Sequence, residues 1–194
     1  LVARRGELMD QACGETAGAM ASVLGGDPEV IREVCGECDI DVANYNCPGQ
    51  IVISGAAPRV KTAVAELKAR GLRKVIPLKV AGAYHSRLMA GAGVRLQPVL
   101  DDTVMVVPHT ALAQNFTGAV IAGEVAEIRR NLVRQVAGSV RWDDCIRALL
   151  GRGGDAVIEF GPGQVLTGLM RRIDSSVPTF NIGTAKQLAA FSVE

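Results

Sequence analysis

Leu1, Arg5, Leu8 and Ala12 recur at spacings of four, three and four, which predicts a helix over 1–12 with an arginine on its apolar stripe. Gly18 to Leu24 is a short apolar run of strand length, and Asp27-Pro28-Glu29 opens a helix with aspartate as cap and proline in the first turn. Asp41 to Tyr45 and Gln50 to Ser54 read as two strands flanking the turn Asn46-Cys-Pro-Gly49. Pro58 starts a helix with Val60, Ala63, Val64 and Leu67 on one face; Gly71 ends it, and Arg73 to Lys79 forms the next strand.

This order, β-α-β-β-α-β, is the split βαβ pattern of a ferredoxin-like lobe. From Ala83 the texture changes. Helices are predicted over Arg87–Leu100, Glu124–Val136 (on a Val125/Ile128/Leu132/Val136 stripe), Trp142–Leu150 and Gln164–Ile173. Strands are predicted over Ala111–Phe116, Ala156–Phe160 (buried) and Thr179–Ile182. Alternating β and α elements imply a mostly parallel sheet with helices on its faces. The expectation is an α/β protein of two lobes, with a ferredoxin-like small lobe (13–82) inserted in a large domain made of 1–12 and 83–194.

Composition narrows the classes. The hydrophobic fraction is 48%, too high for a disordered chain, yet no apolar run approaches the ~20 residues of a membrane span. The 21 Lys+Arg nearly cancel the 20 Asp+Glu, and aromatics are only 4%, so nothing favours nucleic acid as a partner. There is no signal peptide pattern, and the five cysteines (13, 35, 38, 47 and 145) read as reduced thiols of a cytoplasmic protein. The opening helix has no N-cap before it, which reads as a piece of a longer chain.

Candidate chemistry is sparse. Of the two histidines, His109 lies in a polar loop, whereas His85 sits at the lobe junction between small residues, as a general base or as a structural, hydrogen-bonded histidine. Arg5 on an apolar face needs an anion, either a protein carboxylate or a substrate carboxylate gripped by two parallel hydrogen bonds. Cys35-Gly-Glu-Cys38 has redox or zinc spacing, but it falls at a helix end, where the dipole disfavours a thiolate, and no second ligand pair follows. Cys47 in its tight turn is a remote nucleophile candidate. Phe160-Gly-Pro-Gly163 is a tight turn without the third glycine of a dinucleotide fingerprint. No serine occupies a Gly-x-Ser-x-Gly elbow. From the residues alone the chain offers a base, an anion grip and no nucleophile.

Several segments, in order, resemble the malonyl-CoA:acyl-carrier-protein transacylases. They are Arg5-Gly-Glu-Leu-Met9, Gly18-Ala-Met-Ala21, Ala43-Asn-Tyr-Asn-Cys-Pro-Gly-Gln50, Gly82-Ala-Tyr-His-Ser86 and Leu88-Met89. Val133-Arg-Gln-Val136, Val140-Arg-Trp142 and Glu159-Phe-Gly-Pro-Gly-Gln-Val-Leu-Thr-Gly-Leu169 continue the series. The likeness runs over nearly the whole chain but covers only the later two-thirds of such an enzyme.

The resemblance implies an α/β-hydrolase-like large domain with an inserted ferredoxin-like lobe. It also implies ping-pong transfer of malonyl from coenzyme A to the phosphopantetheine thiol of acyl carrier protein, through a seryl ester and without cofactor or metal. By the same resemblance His85 is the base, the backbone carbonyl of Gln135 holds its second nitrogen, and Arg5 binds the malonyl carboxylate. Tyr84 stands where malonyl-selecting members more often have phenylalanine, and Cys47 replaces a usual serine. The Gly-His-Ser-Leu-Gly elbow and the earlier oxyanion loop are absent from these residues, so the expectation is a parent acyltransferase and an inactive piece. The alternatives are a non-catalytic carrier-binding relative and a polyketide-type acyltransferase piece. Residues 25–41 hold six acids against Arg32, and 57–79 hold seven bases against Glu66. The basic stretch (Arg59, Lys61, Lys68, Arg70, Arg73, Lys74) is a candidate for steering the acidic carrier.

Overall fold

The computed structural model describes residues 1–191. Helix α1 (Val2–Glu15) leads into strand β1 (Gly18–Leu24), helix α2 (Pro28–Glu37), the hairpin β2 (Asp41–Cys47) and β3 (Gln50–Ala56), helix α3 (Ala57–Ala69) and strand β4 (Lys74–Pro77). These strands lie in the order β4-β1-β3-β2, every adjacent pair antiparallel.

Alternation along the strands decides what each face does. Ala21 and Val23 of β1 and Ile51 and Ile53 of β3 point to one side and pack with Ile31 and Val34 of α2 and Val60 and Leu67 of α3. Met20 and Val52, at the intervening positions, face the other way with Ala43. Two helices therefore cover one side of the sheet, and the second side is left to form the floor of a cleft. Asp27 opens α2 as expected, its Oδ1 accepting the Glu29 N–H at 2.8 Å.

A 3₁₀ turn (Arg87–Met89) then starts α4 (Ala90–Asp101), followed by the short hairpin β5 (Leu112–Gln114) and β6 (Ala119–Ile121) and by α5 (Val125–Arg134). Strand β7 (Val140–Arg141) joins α6 (Trp142–Leu150), and β8 (Val157–Phe160), α7 (Val165–Ile173), β9 (Thr179–Ile182) and α8 (Ala185–Ala190) complete the order. Leu8 and Ala12 of α1, Leu96 and Leu100 of α4 and Val136 after α5 make a second core. A third joins Ile146 of α6 to Leu169, Met170 and Ile173 of α7.

Several expectations are corrected. On the apolar stripe of α1, Leu8 and Ala12 are buried and Arg5 is half-buried, but Leu1 is exposed. The strand expected over 111–116 stops at Gln114, because Thr117 and Gly118 turn the chain back into β6, with Gly118 at φ +69°. The strand at 157–160 is not buried: only Glu159 is, and Phe160 is 69% exposed. Nor do the described residues form the mostly parallel sheet. Among them only β8–β9 and β2–β7 run parallel, since β5 and β6 pair with each other and β7 adds to the edge of the first sheet.

Leu67 is fully enclosed between sheet and helices, whereas its neighbour Lys68 is exposed. Leu67→Ala is expected to cost about 2–5 kcal/mol in urea unfolding, and Lys68→Ala a few tenths.

Candidate functional site

The loop after β4 is laid directly on the first lobe. A Cβ at Gly18 would overlap Ala83 N, and one at Gly82 would overlap Cys13 Sγ, so Gly18 lets two backbones touch and Gly82 makes room for the Cys13 side chain. Ser86 then fixes the start of the 3₁₀ turn: its hydroxyl donates to Ala83 O (2.6 Å) and accepts the Leu88 N–H (3.3 Å). Between them His85 adopts φ +57°, a left-handed conformation that costs a non-glycine residue about 1–2 kcal/mol. Such strain persists only where the surroundings over-determine it.

The ring shows what holds it. Nδ1 lies 3.0 Å from Gln135 O and 3.2 Å from Gly138 O. Carbonyl oxygens only accept, so Nδ1 carries the hydrogen and Nε2 of the neutral ring is left as the free base. Burial pushes the His85 pKa below its ordinary value; the two carbonyls oppose this, and the Arg5 charge adds to it. Gln135 is the C-cap of α5, so its carbonyl is one of the helix-end acceptors without an intrahelical partner. The motif pointed to Gln135; Gly138 was missed, because a main-chain carbonyl has no side-chain signature.

Arg5 and His85 line one open cleft of about 470 Å³, a size suited to a small-molecule ligand. The sheet contributes Met20, Asn44, Asn46, Gln50 and Val52 to its wall, and α6 and α7 contribute Trp142, Leu166 and Leu169. Asn44 and Asn46 are functional candidates the motif contained without revealing; their alternation on β2 is the signal that puts both on the cleft face. Arg5 is the one Lys, Arg, Asp or Glu side chain on this lining among the described residues. Its neighbour Arg4 pairs with Glu7 at 2.8 Å, whereas the buried Nε of Arg5 has no hydrogen-bond partner. A buried donor without an acceptor is costly, and the cleft beside it is where an anion fits.

The α7 wall is held by Glu159. Its carboxylate accepts the Leu166 N–H (3.0 Å), the Thr167 N–H (2.9 Å) and the Thr167 hydroxyl (2.6 Å). The Thr167 hydroxyl, above all, pulls the Glu159 pKa down. Gly161 and Gly163, both at positive φ, make the preceding turn tight.

Other candidates fall away from the cleft. Cys47 is buried and its thiol faces Gln50 Oε1 at 3.7 Å; it is not on the lining. Cys35 is buried in α2 and its thiol is pushed up to about 12, first by desolvation, far from thiolate chemistry. His109 is exposed.

The basic stretch needs correction as well. Helices α2 and α3 lie side by side, so Arg70 is tied to Glu33, Glu37 and Glu66, and Arg59 is tied to Asp39. Two of the six bases expected to steer a partner are thus spent inside the lobe.

Fold and sequence make the chain a relative of acyl-transferring enzymes. Over nearly its whole length the chain is similar to malonyl CoA-acyl carrier protein transacylases. It is 37% identical over 186 residues to the transacylase of Bacillus subtilis, covering 93% of this chain and 58% of that protein. Its coordinates match the crystal structure of MCAT from Streptococcus pneumoniae with TM-score 0.91 and 34% identity, over 97% of this chain and 63% of the other. They also match a malonyl-transacylase seen in complex with a type II PKS acyl-carrier protein (TM-score 0.88, 33% identity, 96% and 62% covered). No family model matches the chain. The chain spans about three-fifths of the length of the curated relatives it matches. No helix among the described residues is long and apolar enough to cross a membrane.

A histidine whose pKa is lowered in the folded state binds its proton less readily there than when unfolded. Its unfavourable contribution to stability therefore grows as pH falls through the ordinary histidine value of about 6.5 and is absent well above it. NMR titration is expected to give a His85 midpoint below 6.5, and Arg5→Gln is expected to move it upward.

Proposed function

We propose that this chain carries the base and the carboxylate grip of a malonyl-transfer site, acting in [acyl-carrier-protein] S-malonyltransferase chemistry. The observation that carries this is a guanidinium, Arg5, whose buried Nε has no partner, on the same cleft as an imidazole, His85, whose free nitrogen is fixed by its backbone partners. Two-pronged binding of a free carboxylate by Arg5 holds the malonyl group with its thioester carbonyl towards His85. Nε2 takes the proton of an attacking hydroxyl, the seryl oxygen forms an ester with the malonyl carbonyl, and the protonated imidazole hands its proton to the departing coenzyme A thiolate. The phosphopantetheine thiol of acyl carrier protein then gives its proton to His85, attacks the ester, and regenerates the serine. Gln135 acts through its carbonyl, standing in for the carboxylate that orients histidine in other triads. No Gly-x-Ser-x-Gly elbow lies in these 194 residues, so the hydroxyl in this scheme comes from outside them and the chain alone is inactive.

In this reading residues 13–82 are a ferredoxin-like lobe inserted in part of an α/β-hydrolase-like domain formed by 1–12 and 83–194. Malonyl-CoA and acyl carrier protein are the partners, and five free thiols suit the cytoplasm. The likeness to the transacylase seen with its type II PKS carrier favours one further reading, the same chemistry in service of polyketide rather than fatty-acid synthesis.

Calorimetry on the chain tests the anion grip. Malonyl-CoA is expected to bind at least tenfold more tightly than acetyl-CoA, and Arg5→Ala is expected to erase that difference by weakening malonyl-CoA alone. Equal affinities in the unsubstituted chain overturn the assignment. In a protein that supplies the serine, His85→Ala is expected to lower the transfer rate about 10²–10⁴-fold.

A further inference from the structure

Strand β2 holds both halves of the histidine's setting. At its start, Asp41 reaches the loop that carries His85: its Oδ2 accepts the main-chain N–H of Arg87 at 2.9 Å, two residues beyond the histidine. The Arg87 side chain grips the same carboxylate, with Nε 3.1 Å from both oxygens and Nη2 2.9 Å from Oδ1, and Nη1 adds Asp39. Further along, β2 binds the segment that presents the acceptor carbonyls. The Ser139 hydroxyl donates to Val42 O at 2.6 Å, and Asn44 and Tyr45 pair in parallel with Val140 and Arg141 of β7. The strained backbone at His85 and the Gly138 carbonyl that receives its N–H are thus measured off one strand.

An exposed ion pair is ordinarily a weak contact. This one differs in that one of its bonds goes to main chain, so it fixes backbone as well as side chain, next to a residue at φ +57° that needs fixing. Asp41 does not line the cleft, and it touches neither Arg5 nor the imidazole.

We propose that Asp41 is a positioning residue for His85: by binding the Arg87 main-chain N–H and guanidinium, it holds the histidine loop on β2 in register with the carbonyls of Gln135 and Gly138. Its importance for transfer rests on the reading of His85 as the base, but its effect on the ring does not.

The chain has two histidines, so His109→Gln leaves His85 as the only imidazole for ¹⁵N NMR. In that background the ring is expected to show one tautomer, with hydrogen on Nδ1. Asp41→Asn and Arg87→Ala are each expected to turn this into a mixture of tautomers and to move the midpoint up towards 6.5, with circular dichroism unchanged; Arg87→Lys, which keeps a cation beside the Asp41 carboxylate, retains most of the original signature. For Asp41→Asn the sign separates mechanisms, because simply deleting a nearby carboxylate lowers a histidine pKa rather than raising it; for Arg87→Ala, where losing a cation by itself raises it, the tautomer mixture is the deciding readout. A folded Asp41→Asn or Arg87→Ala variant with the original tautomer and midpoint overturns the proposal. If Asp41→Asn does not fold, Arg87→Ala decides, since that side chain is 57% exposed. A ring that shifts in these variants, in a protein that binds malonyl-CoA no better than acetyl-CoA, sinks the malonyl-transfer reading and leaves the positioning role standing.

Discussion

One hydrogen, the one on Nδ1 of His85, sets the terms for the rest of the site. It is shared between two main-chain oxygens from the connection between α5 and β7, one of them at the end of a helix whose last carbonyls have no partner of their own. Two acceptors at one nitrogen leave a single neutral tautomer. Burial and the Arg5 charge discourage protonation and outweigh the two carbonyls, which favour it, so the His85 pKa lies below its ordinary value. Each of these influences comes from a different stretch of chain, and the small lobe's sheet is the surface on which those stretches meet.

Legibility followed the chemistry of the signal. The elements from β1 to β4 could be read from a continuous apolar run at Gly18–Leu24, from the turn Asn46–Gly49 between two strands, and from helices opened by prolines with apolar stripes. The second half could be read for its helices, whose stripes are long, but less well for its strands. The expected run over 111–116 ran into the turn at 115–118, and the run at 156–160 looked buried when its one enclosed member is a charged residue serving α7. His85 and Arg5 stood out because imidazole and guanidinium are rare on apolar ground. Gly138 and Asp41 did not: one acts through its backbone, and the other looks like any acid at the start of a strand.

The uneven charge of the small lobe has an internal cause. Acidic residues collect on and around α2 and basic ones on and around α3, and the two helices pack against the same face of the sheet. Arg70 joins three glutamates across that seam. Such a network confers more order than free energy, and it leaves Lys61, Lys68, Arg73 and Lys74 as the part of the basic stretch that faces outward. What looks in the sequence like a patch meant for another molecule is in part the lobe's own fastening.

Glu159 has a consequence for the polarity of the cleft. A helix amino end turned towards a ligand site is normally a ready seat for phosphate or carboxylate, but at α7 an internal carboxylate already occupies the donors at Leu166 and Thr167. Among the described residues lining the cleft, that leaves the guanidinium on the α1 side as the charged anchor for an anion. A ligand with one anionic tip and an uncharged remainder can settle there in a single orientation, so direction of entry is written into the walls before any reacting group arrives.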